Sequence, residues 1–160
     1  MSAPSKFPSW LALLGFVLLT FCAPALGAFS LPGSWYAALS KPAWNPPAWI
    51  FGPAWTLLYC LMATAAWLVW KKGGFAKQRT ALSLYFSQLA LNAVWTPIFF
   101  GAHQIGIALI VIIALWLAIL VTLISFGRVQ KTAGLLFVPY LAWVTFATAL
   151  NFTLWRLNPA

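Results

Sequence analysis

Short polar segments divide the chain into five apolar runs, and this pattern constrains its fold more than any other feature. The runs cover residues 8–29, 46–70, 80–101, 105–126 and 132–156, and each reaches the roughly 20 residues that a helix needs to cross a bilayer. Hydrophobic residues make up 64% of the chain and charged residues 6%, whereas soluble domains are about 25% charged. We therefore expect an all-α membrane protein, a single domain of residues 1–160 in which five transmembrane helices form a bundle.

The chain contains no aspartate and no glutamate, beside nine lysines and arginines. This excludes paired-carboxylate hydrolysis and removes the carboxylate ligands of calcium and magnesium sites. It also excludes a proton relay through an intramembrane carboxylate. The one histidine, His103, falls in the turn between the third and fourth runs, where a solvated or capping role is expected rather than metal ligation. The sequence therefore predicts no catalytic residue, no metal site and no obligatory cofactor.

The cations are divided unevenly between the two ends of the predicted bundle. Positions 6, 71, 72, 77, 79, 128 and 131 fall at one end, and Lys41 and Arg156 fall at the other. Cations between apolar runs are typical of anchors at lipid headgroups, so the expected partner is membrane lipid and not nucleic acid; the positive-inside rule places the N-terminus inside. An alternative interpretation of the first run is a signal peptide, because Lys6 precedes an apolar stretch that ends in small residues.

The first loop and the start of the second run are rich in tryptophan and proline. Trp35, Trp44, Trp49 and Trp55 occur here, with Asn45-Pro46-Pro47 among them. An interfacial belt, in which indoles sit at headgroup depth, accounts for part of this pattern. A belt needs no prolines, however, and proline fixes the backbone. The long loop is therefore predicted to be a rigid cap over one mouth of the bundle.

Two of the runs place polar and aromatic residues on one helical face. In the third run these are Gln88, Asn92, Trp95 and Phe99, at i, i+4, i+7 and i+11. In the fifth run they are Trp143, Ala147, Leu150 and Asn151. Amides in hydrocarbon need partners, so both faces should point inward, where they make either interhelical hydrogen bonds or ligand contacts. An intramembrane cavity lined by indoles and a few amides suits a flat, largely apolar molecule.

These residues form three motifs that resemble those of a known family. The motifs are Trp35-Tyr36-x-x-Leu39-x-Lys41-Pro42-x-Trp44-x-Pro46-Pro47 with Trp55-Thr56, Gln88-x-x-x-Asn92-x-x-Trp95-x-Pro97-x-Phe99-Phe100-Gly101, and Val138-Pro139-Tyr140-Leu141-x-Trp143. In this order they resemble the translocator protein family, also called tryptophan-rich sensory proteins or peripheral-type benzodiazepine receptors. The similarity extends over nearly the whole chain.

The resemblance implies a five-helix bundle, often a homodimer, in a bacterial membrane or the mitochondrial outer membrane. It also implies binding of porphyrins such as protoporphyrin IX, of sterols in some members, and of benzodiazepine-type ligands. The family's pocket lies beneath the first loop and is lined by residues that match Trp55, Asn92, Trp95, Trp143, Ala147 and Leu150. The family's sterol segment usually has tyrosine where this chain has Phe152, so the phenolic hydroxyl is absent here.

The leading hypothesis is a binding and sensing protein for porphyrins and related apolar ligands. The predicted ligand-binding residues are Trp35, Trp44, Trp55, Gln88, Asn92, Trp95, Trp143, Ala147 and Leu150, and Lys41 is predicted to contact a propionate. One alternative is facilitated transport of porphyrin, lipid or sterol, since proton-driven cycling lacks a carboxylate. Another is light- and oxygen-dependent porphyrin degradation, in which the ligand supplies the photochemistry and the protein supplies the geometry.

Overall fold

The computed structural model describes residues 8–30 and 32–159, and every regular element in these ranges is a helix. Helix α1 is Ser9–Ala25, followed by a 3₁₀ turn at Leu26–Phe29; α2, in the first loop, is Ser34–Ala38. A 3₁₀ turn at Ala48–Ile50 leads into α3, Phe51–Trp70, and then α4, Gly74–Lys77. Helix α5 is Arg79–Thr96, extended by a π-helical turn at Pro97–Gly101. The remaining helices are α6, Ile105–Val129, α7, Lys131–Leu135, and α8, Val138–Leu157.

The all-α prediction is confirmed, and each of the five predicted runs is helical. Among the described residues, three helical stretches are long and apolar enough to cross a membrane, namely Ala48–Trp70, Ile105–Val129 and Lys131–Leu157. Helix α1 is apolar but shorter. The fifth run is divided into α7 and α8, and Pro139 in the first turn of α8 explains the break. Proline lacks an N–H group and its ring obstructs the preceding turn, so a helix starts there rather than continues through it.

The long helices pack against one another in one bundle. Helix α1 packs against α3 and α5, α6 packs against α5 and α8, and α7 packs against α6 and α3. Along its C-terminal half, α3 presents Met62, Ala63, Ala65, Ala66 and Val69, none of which has any exposed surface. Small side chains let neighbouring helices approach closely in a membrane protein. This half of the bundle is therefore a solid core.

Helices α6 and α7 pack closely where Gly127 and Gly134 face each other. A Cβ atom added to Gly134 would lie 2.7 Å from the Gly127 Cα and 3.2 Å from the Leu123 carbonyl oxygen. Both atoms belong to the backbone and cannot move aside. Position 134 therefore requires glycine, because α7 packs directly against the backbone of α6 there.

The cations lie at opposite ends of the helices, as their sequence positions indicate. Lys71, Lys72, Lys77 and Arg79 flank the turn between α3 and α5, at the same end as Arg128 and Lys131 between α6 and α7. Gly73 and Gly74 form that turn with φ angles of 137° and 66°, which side chains rarely allow. Lys41 and Arg156 lie at the other end. Lys6 lies outside the described residues.

We expect Gly134→Ala to lower the free energy of unfolding by about 1–3 kcal/mol, because the added methyl group overpacks the α6–α7 crossing. Gly15→Ala in α1 is the matched control, since a Cβ atom there would meet no atom within 4 Å. It should leave stability unchanged or raise it slightly, because alanine favours helix formation. Thermal or SDS-induced unfolding of the two variants in the same detergent measures the difference. Equal stability of both variants would contradict the close crossing.

Candidate ligand-binding site

A cavity of about 570 Å³ lies beneath the first loop, in the half of the bundle opposite the alanine-rich core. This volume is within the range of roughly 300–1,000 Å³ that small-molecule sites occupy. Its walls come from the end of α1, the first loop and the long helices that follow. The lining residues are Pro24, Gly27, Pro32, Tyr36, Asn45, Pro46, Ala48, Phe51, Gly52, Trp55, Tyr59, Asn92, Trp95, Thr96, Phe99, Phe100, Ile112, Leu115, Trp143, Val144, Phe146, Ala147, Leu150, Asn151 and Leu154.

Two indoles from different helices form adjoining walls of the cavity. Trp55 of α3 and Trp143 of α8 meet edge to face, with ring centroids 6.4 Å apart and an interplanar angle of 80°. Tyr59, one turn along α3, stacks on Trp55 at 5.4 Å, and Phe51 meets the Trp143 ring at 5.8 Å. Stacked and edge-to-face rings support one another's orientation. The cavity therefore offers flat aromatic faces that are held in place.

The Asn92 side chain links three helices at the base of the cavity. Its Oδ1 atom accepts a hydrogen bond from the Tyr59 hydroxyl of α3 at 2.9 Å, and its Nδ2 atom donates to the Tyr140 hydroxyl of α8 at 3.0 Å. Both tyrosines are buried. The amide thus makes the interhelical hydrogen bonds that were one of its two predicted roles, while it also lines the cavity.

Asn151 forms a second junction of the same kind. Its Oδ1 atom accepts from the Trp95 indole N–H at 3.2 Å, and its Nδ2 atom donates to the Ile105 carbonyl at 3.0 Å. This junction joins α5, α6 and α8, and it fixes the ring plane of Trp95. Both amides therefore position aromatic walls, and the surface left for a ligand is mainly apolar.

Gln88 does not line the cavity, although it shares a helical face with Asn92. Its side chain is fully buried one turn further down α5, where Nε2 lies 3.9 Å from the Met62 sulfur. Among the described residues no group donates to its Oε1 atom. The structure thus places Gln88 in the solid half of the bundle.

The first loop covers the cavity through aromatic contacts. Tyr36 and Asn45 line it, and the Tyr36 hydroxyl donates to Asn45 Oδ1 at 3.3 Å. Burial raises the pKa of the Tyr36 phenol, and the hydrogen bond to Asn45 offsets part of that rise. Tyr36 is therefore a neutral hydrogen-bond donor at physiological pH.

Trp35 and Trp44 anchor the first loop but lie outside the cavity. Trp35 stacks on exposed His103 at 4.2 Å and contacts Phe99 edge-on at 5.8 Å. Trp44 meets Phe146 of α8 at 5.8 Å. Neither indole lines the cavity. Trp35 contacts the lining residue Phe99 and Trp44 contacts the lining residue Phe146, so both indoles touch the cavity wall from behind.

Lys41 and Asn158 shape the outer part of the loop. The Lys41 ammonium donates to the Ala37 and Leu39 carbonyls, both at 3.0 Å, and lies 4.8 Å from the centre of the Tyr36 ring. Asn158, after α8, accepts from the Ser40 N–H at 2.9 Å and donates to the Ser40 carbonyl at 3.0 Å. The cation predicted to contact a propionate thus lies against a lining tyrosine, although Lys41 itself does not line the cavity.

Six of the predicted ligand-binding residues line the cavity, together with several residues that were not among those predicted to bind ligand. The six are Trp55, Asn92, Trp95, Trp143, Ala147 and Leu150. Tyr59 was detectable, since it follows Trp55 by one helical turn on the same face. Tyr36 and Asn45 carry no such signal, because a loop has no fixed periodicity.

These features define the class: an all-helical membrane protein that encloses an aromatic-walled cavity beneath its first loop. The pattern of the TspO/MBR family matches residues 14–156, and the chain belongs to that family. The human translocator protein is 44% identical over 162 residues, which cover 94% of this chain and 92% of that protein.

Two bacterial relatives agree with this assignment. The tryptophan-rich sensory protein of Cereibacter sphaeroides is 44% identical over 149 residues, covering 93% of this chain and 92% of that protein. Protein CrtK of Rhodobacter capsulatus is 46% identical over 142 residues, covering 86% and 87%. The family resemblance and the assignment as a membrane protein are therefore confirmed.

We expect Asn92→Leu to destabilise the bundle, because it leaves the hydroxyls of Tyr59 and Tyr140 without their amide partner. Interhelical hydrogen bonds in membranes contribute about 0.6–2 kcal/mol each, so a loss of about 1–4 kcal/mol is expected. Gln88→Leu is the control on the same helix face. It removes a buried oxygen that lacks a donor and should leave stability unchanged or improve it. SDS unfolding titrations compare the two variants, and an equal loss in both would contradict the junction at Asn92.

Proposed function

We propose that the protein binds porphyrins of the protoporphyrin IX type, and related planar apolar ligands, in the cavity beneath the first loop. The observation that supports this most strongly is the pair of near-perpendicular indoles, Trp55 and Trp143, on adjoining walls of a cavity of about 570 Å³. A macrocycle can stack on one indole while the edge of the other contacts its rim. The family to which the chain belongs is consistent with a membrane receptor of this kind.

We further propose that all five long helical stretches cross the membrane. Helices α1 and α5 pack against α3, which is among the stretches long enough to span, and so lie alongside it. The amide of Asn92 on α5 is buried and finds partners on α3 and α8, as a membrane interior requires. The homodimer implied by the family resemblance stays a prediction, which the mass of the purified protein in detergent would test.

The charge distribution favours a ligand whose carboxylates remain at the mouth. No lining residue of the cavity carries a charge among the residues that the structure describes. A buried carboxylate without a partner is costly, so propionates should stay near the first loop, where Lys41 lies. Because the chain has no aspartate and no glutamate, no side-chain carboxylate repels them.

The cavity geometry favours binding, sensing or handover of a ligand more than transport of the ligand through the membrane. On one face of the C-terminal half of α3, Met62, Ala63, Ala65, Ala66 and Val69 are completely buried in the solid core, which separates the cavity from the opposite end of the bundle. The names of the relatives, a tryptophan-rich sensory protein and a translocator protein, fit sensing and transfer respectively. We propose sensing as the primary role. Handover of ligand at the side where the cavity lies is the second.

We expect Trp55→Ala and Trp143→Ala each to weaken protoporphyrin IX binding by about tenfold, because each removes a stacking face worth about 0.5–1.5 kcal/mol beyond its buried area. Trp49→Ala is the control, since this indole is 73% exposed and does not line the cavity. Equilibrium titration in lipid nanodiscs, followed by porphyrin absorbance, measures the affinities. Unchanged affinity in both cavity variants would contradict the proposed site.

We expect Lys41→Gln to weaken binding of protoporphyrin IX by about twofold to fivefold, since an exposed charge pair contributes up to about 1 kcal/mol. Binding of the dimethyl ester of protoporphyrin IX, which lacks carboxylates, should not change. Lys72→Gln, at the opposite end of the bundle, is the charge-matched control. An equal effect of Lys41→Gln on both ligands would show that the lysine supports the loop instead of contacting a carboxylate.

A further inference from the structure

The cavity-facing side of α3 becomes more exposed towards the first loop. Ala48, Gly52, Trp55 and Tyr59 follow one another at i, i+4, i+7 and i+11, which is one helical face, and all four line the cavity. Tyr59 is 5% exposed and Trp55 is half-buried, whereas Gly52 and Ala48 are exposed. The cavity wall therefore opens at the N-terminal end of α3.

The opening has a rim of small residues. Of the lining residues in the described ranges, only Pro32, Ala48 and Gly52 are exposed. A Cβ atom added to Gly52 would meet no described atom within 4 Å, so the space beside this glycine is open. Its φ angle is not in the positive region, so the backbone does not require a glycine there. The missing side chain widens the opening and has no evident role in folding.

The same cavity is closed elsewhere by specific contacts. Below the opening, Phe21 of α1 meets Tyr59 of α3 with ring centroids 5.5 Å apart. On the α5 side, Gly27 lies directly against Thr96, since an added Cβ atom would be 2.7 Å from its Cγ2 atom. On the α8 side, Phe51 contacts Trp143 at 5.8 Å.

Two strongly exposed aromatic side chains flank the opening and indicate its depth. Phe29 precedes Pro32 and is 92% exposed, and Trp49 lies between Ala48 and Gly52 and is 73% exposed. Tryptophan at a helix end is typical of the headgroup region of a membrane. The opening thus faces the membrane interface, where an amphiphilic planar molecule with carboxylates concentrates.

We propose that the gap between Pro32 and the Ala48–Gly52 segment is the portal through which ligand passes between the membrane interface and the cavity. Gly52 sets its width. This inference rests on the proposed porphyrin site, whose affinity depends on the indole walls. The portal controls the rates of binding and release, whereas the indole walls determine the affinity.

The direct test is Gly52→Leu, with Gly15→Leu as the matched control. Both glycines are helical, and both have open space at the Cβ position, but Gly15 does not line the cavity. Stopped-flow quenching of tryptophan fluorescence by protoporphyrin IX in nanodiscs gives kon and koff. We expect both rates to fall about tenfold in Gly52→Leu, because a narrower passage slows entry and release alike. Gly15→Leu should behave as the parent.

Two outcomes would overturn the portal. Unchanged rates in Gly52→Leu would mean that ligand passes elsewhere, and a change in Kd carried by koff alone would mean that residue 52 only touches the bound ligand. In contrast, a parent protein that fails to bind protoporphyrin IX would overturn the proposed function without bearing on the passage.

A second measurement tests the passage without porphyrin. In a Cys22→Ala, Cys60→Ala background, Ala147→Cys places a thiol on the cavity wall. A membrane-partitioning maleimide should label it at a rate that Gly52→Leu lowers about tenfold and Gly15→Leu does not change, since reagent and ligand share the passage. Equal labelling in the two leucine variants would refute the portal, whatever the result with porphyrin.

Discussion

The fold depends on the need of two asparagines inside the bundle for hydrogen-bond partners. Water is absent from the bilayer core, so an unpaired polar group there is costly. Asn92 meets this need with hydroxyls of α3 and α8, and Asn151 meets it with the indole of α5 and a carbonyl of α6. Each asparagine thereby ties three helices together at one level. The helices are held at the separations that these bonds allow, and the cavity is the space that remains.

Helix α3 shows how one chain builds both a solid core and a hollow site. Its C-terminal half carries Ala63, Ala65 and Ala66, whose small size allows neighbours to close around it. Its N-terminal half carries Trp55, whose ring stacks on Tyr59 and meets Trp143 edge-on. Bulky rings that contact one another at angles cannot fill the space between helices as alanines do. On the buried face of α3, the change from small side chains to large rings therefore sets where the cavity begins.

Helical periodicity predicted the faces of the site but not their depth. Asn92 and Trp95 share a face of α5 and both line the cavity. Gln88 shares that face too, yet it lies a turn lower, in the solid core. Spacing along a helix does not show where a cavity ends, so the sequence could not separate Gln88 from the other two residues. Trp35 and Trp44 illustrate a different limit: in an irregular loop, composition identifies aromatic residues but not which side of the loop they occupy. The helical structure of the five apolar runs, in contrast, was predictable, because a long apolar segment in a membrane must satisfy its backbone hydrogen bonds internally.

The position of the polar groups also explains why a site of this kind can be selective without charge. The side-chain oxygen and nitrogen atoms of Asn92 and Asn151 are already hydrogen-bonded to other helices, so they offer a ligand little direct hydrogen bonding. What they contribute is the fixed orientation of Trp95, Tyr59 and, through Tyr59, Trp55. A rigid aromatic enclosure discriminates by shape, because a guest that is not flat must separate rings whose positions the amides hold. The selectivity for planar molecules that we propose therefore rests on the same interhelical hydrogen bonds that stabilise the bundle.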